Sequence, residues 1–317
     1  MVESAYLSLY RSGELKRRAE KGRMLLAGCT LCPRRCGVNR IEGERGACQT
    51  GARAMLASYS PHFGEERPLS GTGGSGTIFF GGCNLHCLFC QNYEISHLHG
   101  GEPWEVDSRQ LASVMVELQE MGCHNINFVT ASHMVAQILG ALPLAVEMGL
   151  TVPLVYNSSG YDSVHTLRML DGVIDIYMPD FKFWNRETAK AYTEVADYPE
   201  RTREAIREMH RQVGDLQLER DGLAWRGLLV RHLLMPDGLT ETEQILHFIA
   251  TEISPSTYVN IMGQYHPCGR AGQRKELQRG IRADEVTRAE DMAKSCGLTR
   301  LDKMDILGLL QRLSRDL

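Results

Sequence analysis

Three cysteines stand at Cys83-x3-Cys87-x2-Cys90, within Gly81-Gly82-Cys83-Asn84-Leu85-His86-Cys87-Leu88-Phe89-Cys90-Gln91-Asn92. Iron–sulfur clusters are held by cysteine thiolates, and a cubane normally takes four. A compact loop that supplies three leaves one iron open for a small molecule. An open coordination position separates a catalytic metal site from a structural one. Two plainer readings compete: zinc with a distant fourth ligand, and ordinary buried thiols. The triplet follows Thr77-Ile78-Phe79-Phe80, an apolar run that reads as a short buried strand. The cysteines therefore lie on the loop leaving its C-terminal end.

A second set, Cys29, Cys32, Cys36 and Cys48, is spaced C-x2-C-x3-C-x11-C. Four thiols in a short stretch rich in Gly and Pro do not build a core, and a metal would supply the missing folding energy. Zinc fits the tight C-x2-C turn, and a four-cysteine cluster fits nearly as well. Ligand count alone does not separate them. Zinc would imply scaffolding; a cluster would imply electron transfer.

The triplet, with aromatic Phe89 just before its last cysteine, resembles the radical S-adenosylmethionine (SAM) signature. The longer string from Pro68-Leu69-Ser70-Gly71-Thr72-Gly73-Gly74-Ser75-Gly76 to Asn92 is similar to one branch of that superfamily, the homologues of pyruvate formate-lyase activating enzyme. The likeness runs from about Cys29 to Gly297.

The chain has 317 residues, 43% of them apolar, a formal charge of −4 and ten cysteines. That length suits one large domain with a small appendage. The charge gives no drive toward nucleic acid or anionic membrane. No apolar run approaches the ~18–20 residues that span a bilayer, and Met1 to Lys21 is polar, without a signal-peptide segment. A cytoplasmic protein is expected, in which clustered cysteines point to metal more than to disulfides.

The elements that must position these residues alternate strand with helix, the mark of a parallel α/β domain. Six strands are expected: Thr77–Phe80, Asn125–Val129, Val152–Tyr156, Ile174–Met178, Gly227–Leu234 and Tyr258–Met262. Helices are expected over Glu3–Ala27, from an N-cap at Asp107 with Gln110 placed for a capping box, over Met134–Met148, Trp184–Val213, Glu241–Thr251 and Asp284–Ser295. Six strands fall short of a closed eight-stranded barrel. The expected fold is an α/β partial (β/α)6 barrel with a small N-terminal four-cysteine metal-binding extension. Its parts are residues 1–70 (helix and cysteine-rich segment), 71–300 (barrel) and 301–317 (a C-terminal helix). The connector Glu65 to Gly76 reads either as a loop over a ligand or as a flexible linker.

Ligands sit at the C-terminal ends of parallel strands, and every such end here is polar. Thr130-Ala131-Ser132-His133 follows the second strand, Asn157 the third, and Asp180 with Lys182 the fourth. Arg231 and His232 lie on the fifth, and Tyr265-His266-Pro267-Cys268 follows the sixth. Tyr265, His266 and His133 are hydrogen-bonding candidates near a substrate; Cys268 is a hydrogen donor or an idle thiol. No Ser-His-Asp order or His-Glu-x-x-His motif supports hydrolysis.

The resemblance implies roles. Relatives hold the SAM amino group with Gly-Gly-Glu after the second strand. Here Thr130 and Ser132 stand instead, which implies hydroxyl or carbonyl contact. Asn157 would face the SAM ribose or carboxylate, and Asp180 and Lys182 match an Asp-x-Lys pair lining the SAM site. Arg231 would reach the SAM carboxylate or stabilise the radical intermediate. A reduced [4Fe-4S] cluster on Cys83, Cys87 and Cys90 would cleave SAM to a hydrogen-abstracting radical, fed by a flavodoxin or ferredoxin. The substrate implied is a protein or peptide. Radical modification of a small metabolite, a metal-stabilised binding module and an electron-transfer protein are the alternatives.

Overall fold

The computed structural model describes residues 3–98 and 104–302. Its sheet has nine strands: β1 (Ala54–His62), β2 (Ser75–Phe80), β3 (Trp104–Val106), β4 (Ile126–Val129), β5 (Leu154–Ser158), β6 (Ile176–Pro179), β7 (Gln217–Leu218), β8 (Ala224–Leu233) and β9 (Tyr258–Met262). β2, β4, β5, β6, β8 and β9 pair in parallel, each beside the next in chain order. These six are the strands expected from sequence. Each is buried on both faces or nearly so, and near-continuous apolar runs are the signature of such strands. Winding in one direction without closing gives a partial (β/α)6 barrel.

Two strands were not expected. β1 runs antiparallel to β2, and β3 antiparallel to β1. β1 alternates inward and outward along its second half, as an edge strand does, and Pro61 fits that place.

Asp107 and Gln110 form the expected capping box, with both bonds at 2.9 Å. The N-terminal helix is two, Ala5–Arg11 and Glu14–Leu25, broken where Gly13 takes φ +77°. The stretch from Trp184 to Val213 is also two helices, Arg186–Thr193 and Tyr198–Val213. Glu194 ends the first in a left-handed conformation, and Pro199 sits in the first turn of the second, where its missing N–H costs nothing. The N-terminal helices pack onto the barrel: Asp175 accepts from the Ala5 N–H at 2.9 Å, and Tyr6 donates to the Val152 carbonyl at 3.0 Å. The connector is neither a lid nor a plain linker. It carries a helical turn, Arg67–Ser70, and buries Glu66. Among the described residues no helix is long and apolar enough to cross a membrane. The expected C-terminal helix falls on 303–317, outside the described residues, apart from Leu301 and Asp302.

Candidate active site

The cysteine loop leaves β2 through Gly81 and Gly82. Gly82 has φ +75°, and a Cβ there would stand 2.3 Å from the Cys48 carbonyl oxygen. Only glycine fits both the conformation and the contact. The Gly81 N–H donates to the Met55 carbonyl at 2.8 Å and that of Gly82 to the Ile95 carbonyl at 2.9 Å. Phe89 packs edge-on to Phe183, with ring centres 5.8 Å apart. The loop is thus anchored on both sides before any metal binds.

Cys83, Cys87 and Cys90 open onto a cavity of about 420 Å³ whose wall also holds Thr130, Asn157, Asp180, Lys182 and Arg231. Pockets for small organic ligands run to about 300–1,000 Å³. Burial pushes the Cys83 thiol up to about 12 and raises Cys87 further, while the Lys182 ammonium works against both shifts. Burial opposes the charge of Lys182 itself, but Asp180 and Cys87 outweigh it and raise its affinity for the proton. Lys182 Nζ donates to Asp180 Oδ2 at 2.5 Å. A cation therefore stands where thiolates must form, and bound iron would complete the reversal of their protonation.

Arg231 lines this cavity but is already engaged. Its Nε donates to Glu66 Oε1 at 2.6 Å, and its Nη2 pairs with both Glu65 and Glu66. Burial alone would lower its proton affinity; the two carboxylates raise it. Asn260 Nδ2 donates to the same Glu66 oxygen at 2.7 Å. Glu65, Glu66 and Asn260 line the cavity too, and sequence reasoning missed all three. The adjacent acidic pair in a Gly-rich connector was the available signal.

Three expected residues lie elsewhere. Ser132 is buried and hydrogen-bonds toward Asp162 and Tyr156, whose cluster includes Ser158 Oγ donating to Asp162 Oδ2 at 2.6 Å. Tyr265 is buried, packs near Phe89 and donates its hydroxyl to the Leu277 carbonyl at 2.7 Å. His266 is exposed, its Nδ1 beside the carbonyl of Gln264. None of the three is on the cavity wall. The chain turns away after β9, so Gln264 faces the cavity and its two successors do not. Thr130 stays on the wall in a left-handed conformation, φ +64°.

The second cysteine set surrounds a separate small cavity, shared by Arg34, Arg40 and His133. Burial pushes the Cys32 thiol up to about 12. His133 donates through Nε2 to the Gly81 carbonyl at 3.0 Å, so it supports the cysteine loop from behind. Among the described residues no three His, Cys, Asp or Glu side chains converge as one metal ion requires. Each thiolate of a cubane serves its own iron, and three thiols on the wall of a roomy polar cavity fit that group with SAM beside it.

Residues 77–218 match the family described as the Radical SAM superfamily. The uncharacterized protein MJ0674 of Methanocaldococcus jannaschii is 30% identical over 289 residues, covering 89% of this chain and 78% of that one. MJ0808 of the same organism is 32% identical over 96 residues, 26% of this chain and 27% of that one. Among solved structures, a radical SAM methyltransferase from Sphaerobacter thermophilus aligns at TM-score 0.48 and 14% identity, over 71% of this chain and 64% of that one. The FeFe-hydrogenase maturase HydG from Carboxydothermus hydrogenoformans aligns at 0.48 and 12%, over 74% of this chain and 54% of that one. With the cysteine triplet at the C-terminal end of the first parallel strand and the matched domain built around it, this chain belongs to the radical SAM superfamily, whose enzymes use a [4Fe-4S] cluster and SAM.

Proposed function

We propose that this enzyme abstracts a hydrogen atom from a protein or peptide, in the manner of the pyruvate formate-lyase activating enzymes it resembles. The observation that carries the reading is the shared cavity, about 420 Å³, that joins three thiols to the polar strand ends. When bound, the cluster supplies an open iron and the electron that cleaves SAM. Asn157 and Thr130 orient the SAM polar end by hydrogen bonds from β5 and from the turn after β4. Lys182 balances thiolate charge, and Asp180 holds Lys182 in place. SAM is itself a pocket-sized ligand on the scale of about 300–1,000 Å³, so it takes much of the volume. The substrate then enters at the mouth, which suits an extended chain better than an engulfed metabolite. A flavodoxin or ferredoxin in the cytoplasm supplies the electron. The four N-terminal cysteines belong to the same reading as ligands of a second metal centre.

The test is an electron paramagnetic resonance spectrum of anaerobically reconstituted, reduced protein with and without SAM, followed by SAM cleavage assays against peptide pools. A [4Fe-4S]+ signal that changes with SAM, and cleavage stimulated by peptide, is the expected result. A signal indifferent to SAM would overturn the reading; stimulation by small metabolites alone would overturn its protein-substrate half.

A further inference from the structure

The cavity between Cys29, Cys32, Cys36 and Cys48 has a volume of about 10 Å³. One water needs about 10–15 Å³. A zinc ion holds its four sulfurs at about 2.3 Å, leaving no such space among them. The thiols stand farther apart than one zinc would hold them, and a cubane, with one iron per thiolate, needs that wider spacing.

The surroundings suit an anionic, thiolate-bound body. Arg40 and His133, each 1% exposed, line the cavity, with Arg40 Nη2 and His133 Nδ1 lacking a hydrogen-bond partner. Arg40 Nη1 already points at Cys29 Sγ, 3.9 Å away, and the Ala47 N–H donates to Cys36 Sγ at 3.5 Å. Such donors stabilise and tune the sulfurs of a cluster.

This site also abuts the radical SAM loop. Asn84 hydrogen-bonds Cys32 through its side chain, stands 4.0 Å from Cys83 Sγ, and accepts Arg34 Nε on its carbonyl at 2.9 Å. His86 Nε2 donates to the Ala47 carbonyl at 3.0 Å. Cys48 is close enough to Cys83 to oppose its ionisation. At the other side, Cys36 is exposed. The site has one face toward solvent and one toward the catalytic triplet.

We propose that Cys29, Cys32, Cys36 and Cys48 hold a second [4Fe-4S] cluster that relays single electrons to the one at Cys83, Cys87 and Cys90. The inference rests on reading the N-terminal segment as metal-binding. A one-electron carrier of the flavodoxin or ferredoxin class is oxidised by one electron and the second cluster reduced by one. Passing that electron inward restores the second cluster and reduces the first. No bond forms or breaks, and no proton moves.

Two measurements test it. Anaerobically reconstituted wild-type protein should carry about eight irons and eight sulfides per chain, and the Cys83→Ala/Cys87→Ala/Cys90→Ala variant about four of each. About four irons in the wild type with one zinc, or with no second metal, would overturn the proposal even where the variant fails to fold. Iron lost from the triplet alone would sink the radical SAM reading and leave this one standing. For the relay, Cys29→Ala/Cys32→Ala should cleave SAM within about threefold of wild type with dithionite, and at least about tenfold more slowly with reduced flavodoxin. Equal loss with both reductants would mark the site as structural and overturn the relay.

Discussion

Arg231 Nε donates to Glu66 Oε1 at 2.6 Å, joining the interior of β8 to the segment between β1 and β2. The Glu66 side chain is 1% exposed. Burial opposes its ionisation, but Arg231 outweighs burial and holds its carboxyl below the usual range. Breaking a buried pair by removing one partner is costly because the other charge stays behind. Glu66→Gln should therefore lower stability by about 3 kcal/mol, less whatever Glu65 recovers. Urea unfolding of the metal-free protein reads it directly. An unchanged midpoint would show that Glu65 alone satisfies Arg231.

His232 makes stability depend on pH. Burial pushes its imidazole down to about 4, against the bond from Nδ1 to the Phe181 carbonyl, 2.7 Å long. Nε2 meets Thr242 Oγ1 at 2.9 Å. The folded state therefore keeps the ring neutral while the unfolded chain takes a proton near pH 6.5. The ring's contribution is fully present above about pH 6.5 and is lost as pH falls toward about 4, at about 1.4 kcal/mol per pH unit. His232→Gln should flatten that limb of a stability–pH profile. A slope equal to wild type would assign the limb to other groups.

Much of this was legible beforehand. Tyr258–Met262 is β9 with the bounds its apolar run gave, and the capping box at Asp107 and Gln110 is present. Such features are local: a run of residues or a three-residue spacing contains the whole cause. The misses are contacts across the chain. Glu66 meets Arg231 over 165 residues, and no pattern near either announces the other. Ser132 has an N-terminal-cap look, yet Asp162 and Tyr156 claim its hydroxyl. Tyr265 and His266 follow a strand end, where polar residues commonly face a site, but the chain turns after Gln264. Periodicity does not report which way a loop leaves a sheet.

That division among strand-end residues has kinetic consequences. Asn157 and Lys182 are on the cavity wall; Ser132 and His266 are not. Asn157→Ala and Lys182→Ala should each weaken SAM binding about tenfold, the effect of losing one hydrogen bond to a charged group. His266→Ala should leave it unchanged. Ser132→Ala should cost about 1 kcal/mol of stability with little effect on affinity. Isothermal titration of SAM into reconstituted protein separates the two classes. A His266→Ala loss as large as that of Asn157→Ala would bring the loop after β9 back to the ligand.

Gly82 offers the sharpest local test. Its φ of +75° is strained for any residue with a side chain, and a Cβ would stand 2.3 Å from the Cys48 carbonyl oxygen. That neighbour is backbone in the other cysteine segment, so relief requires one segment to move. The Gly82 N–H also donates to the Ile95 carbonyl at 2.9 Å, which fixes the loop on its far side. Strain of this kind costs about 1–3 kcal/mol, and the overlap adds to it. Gly82→Ala should then lower stability by at least about 2 kcal/mol and reduce iron uptake at Cys83, one residue away. A second change, Gly272→Ala, controls for the substitution itself: its position is in open space with no positive φ. Iron content after identical anaerobic reconstitution compares the two. Full iron loading in Gly82→Ala would show that the cysteine loop tolerates displacement from Cys48, and that the two cysteine segments are not held in register by this contact.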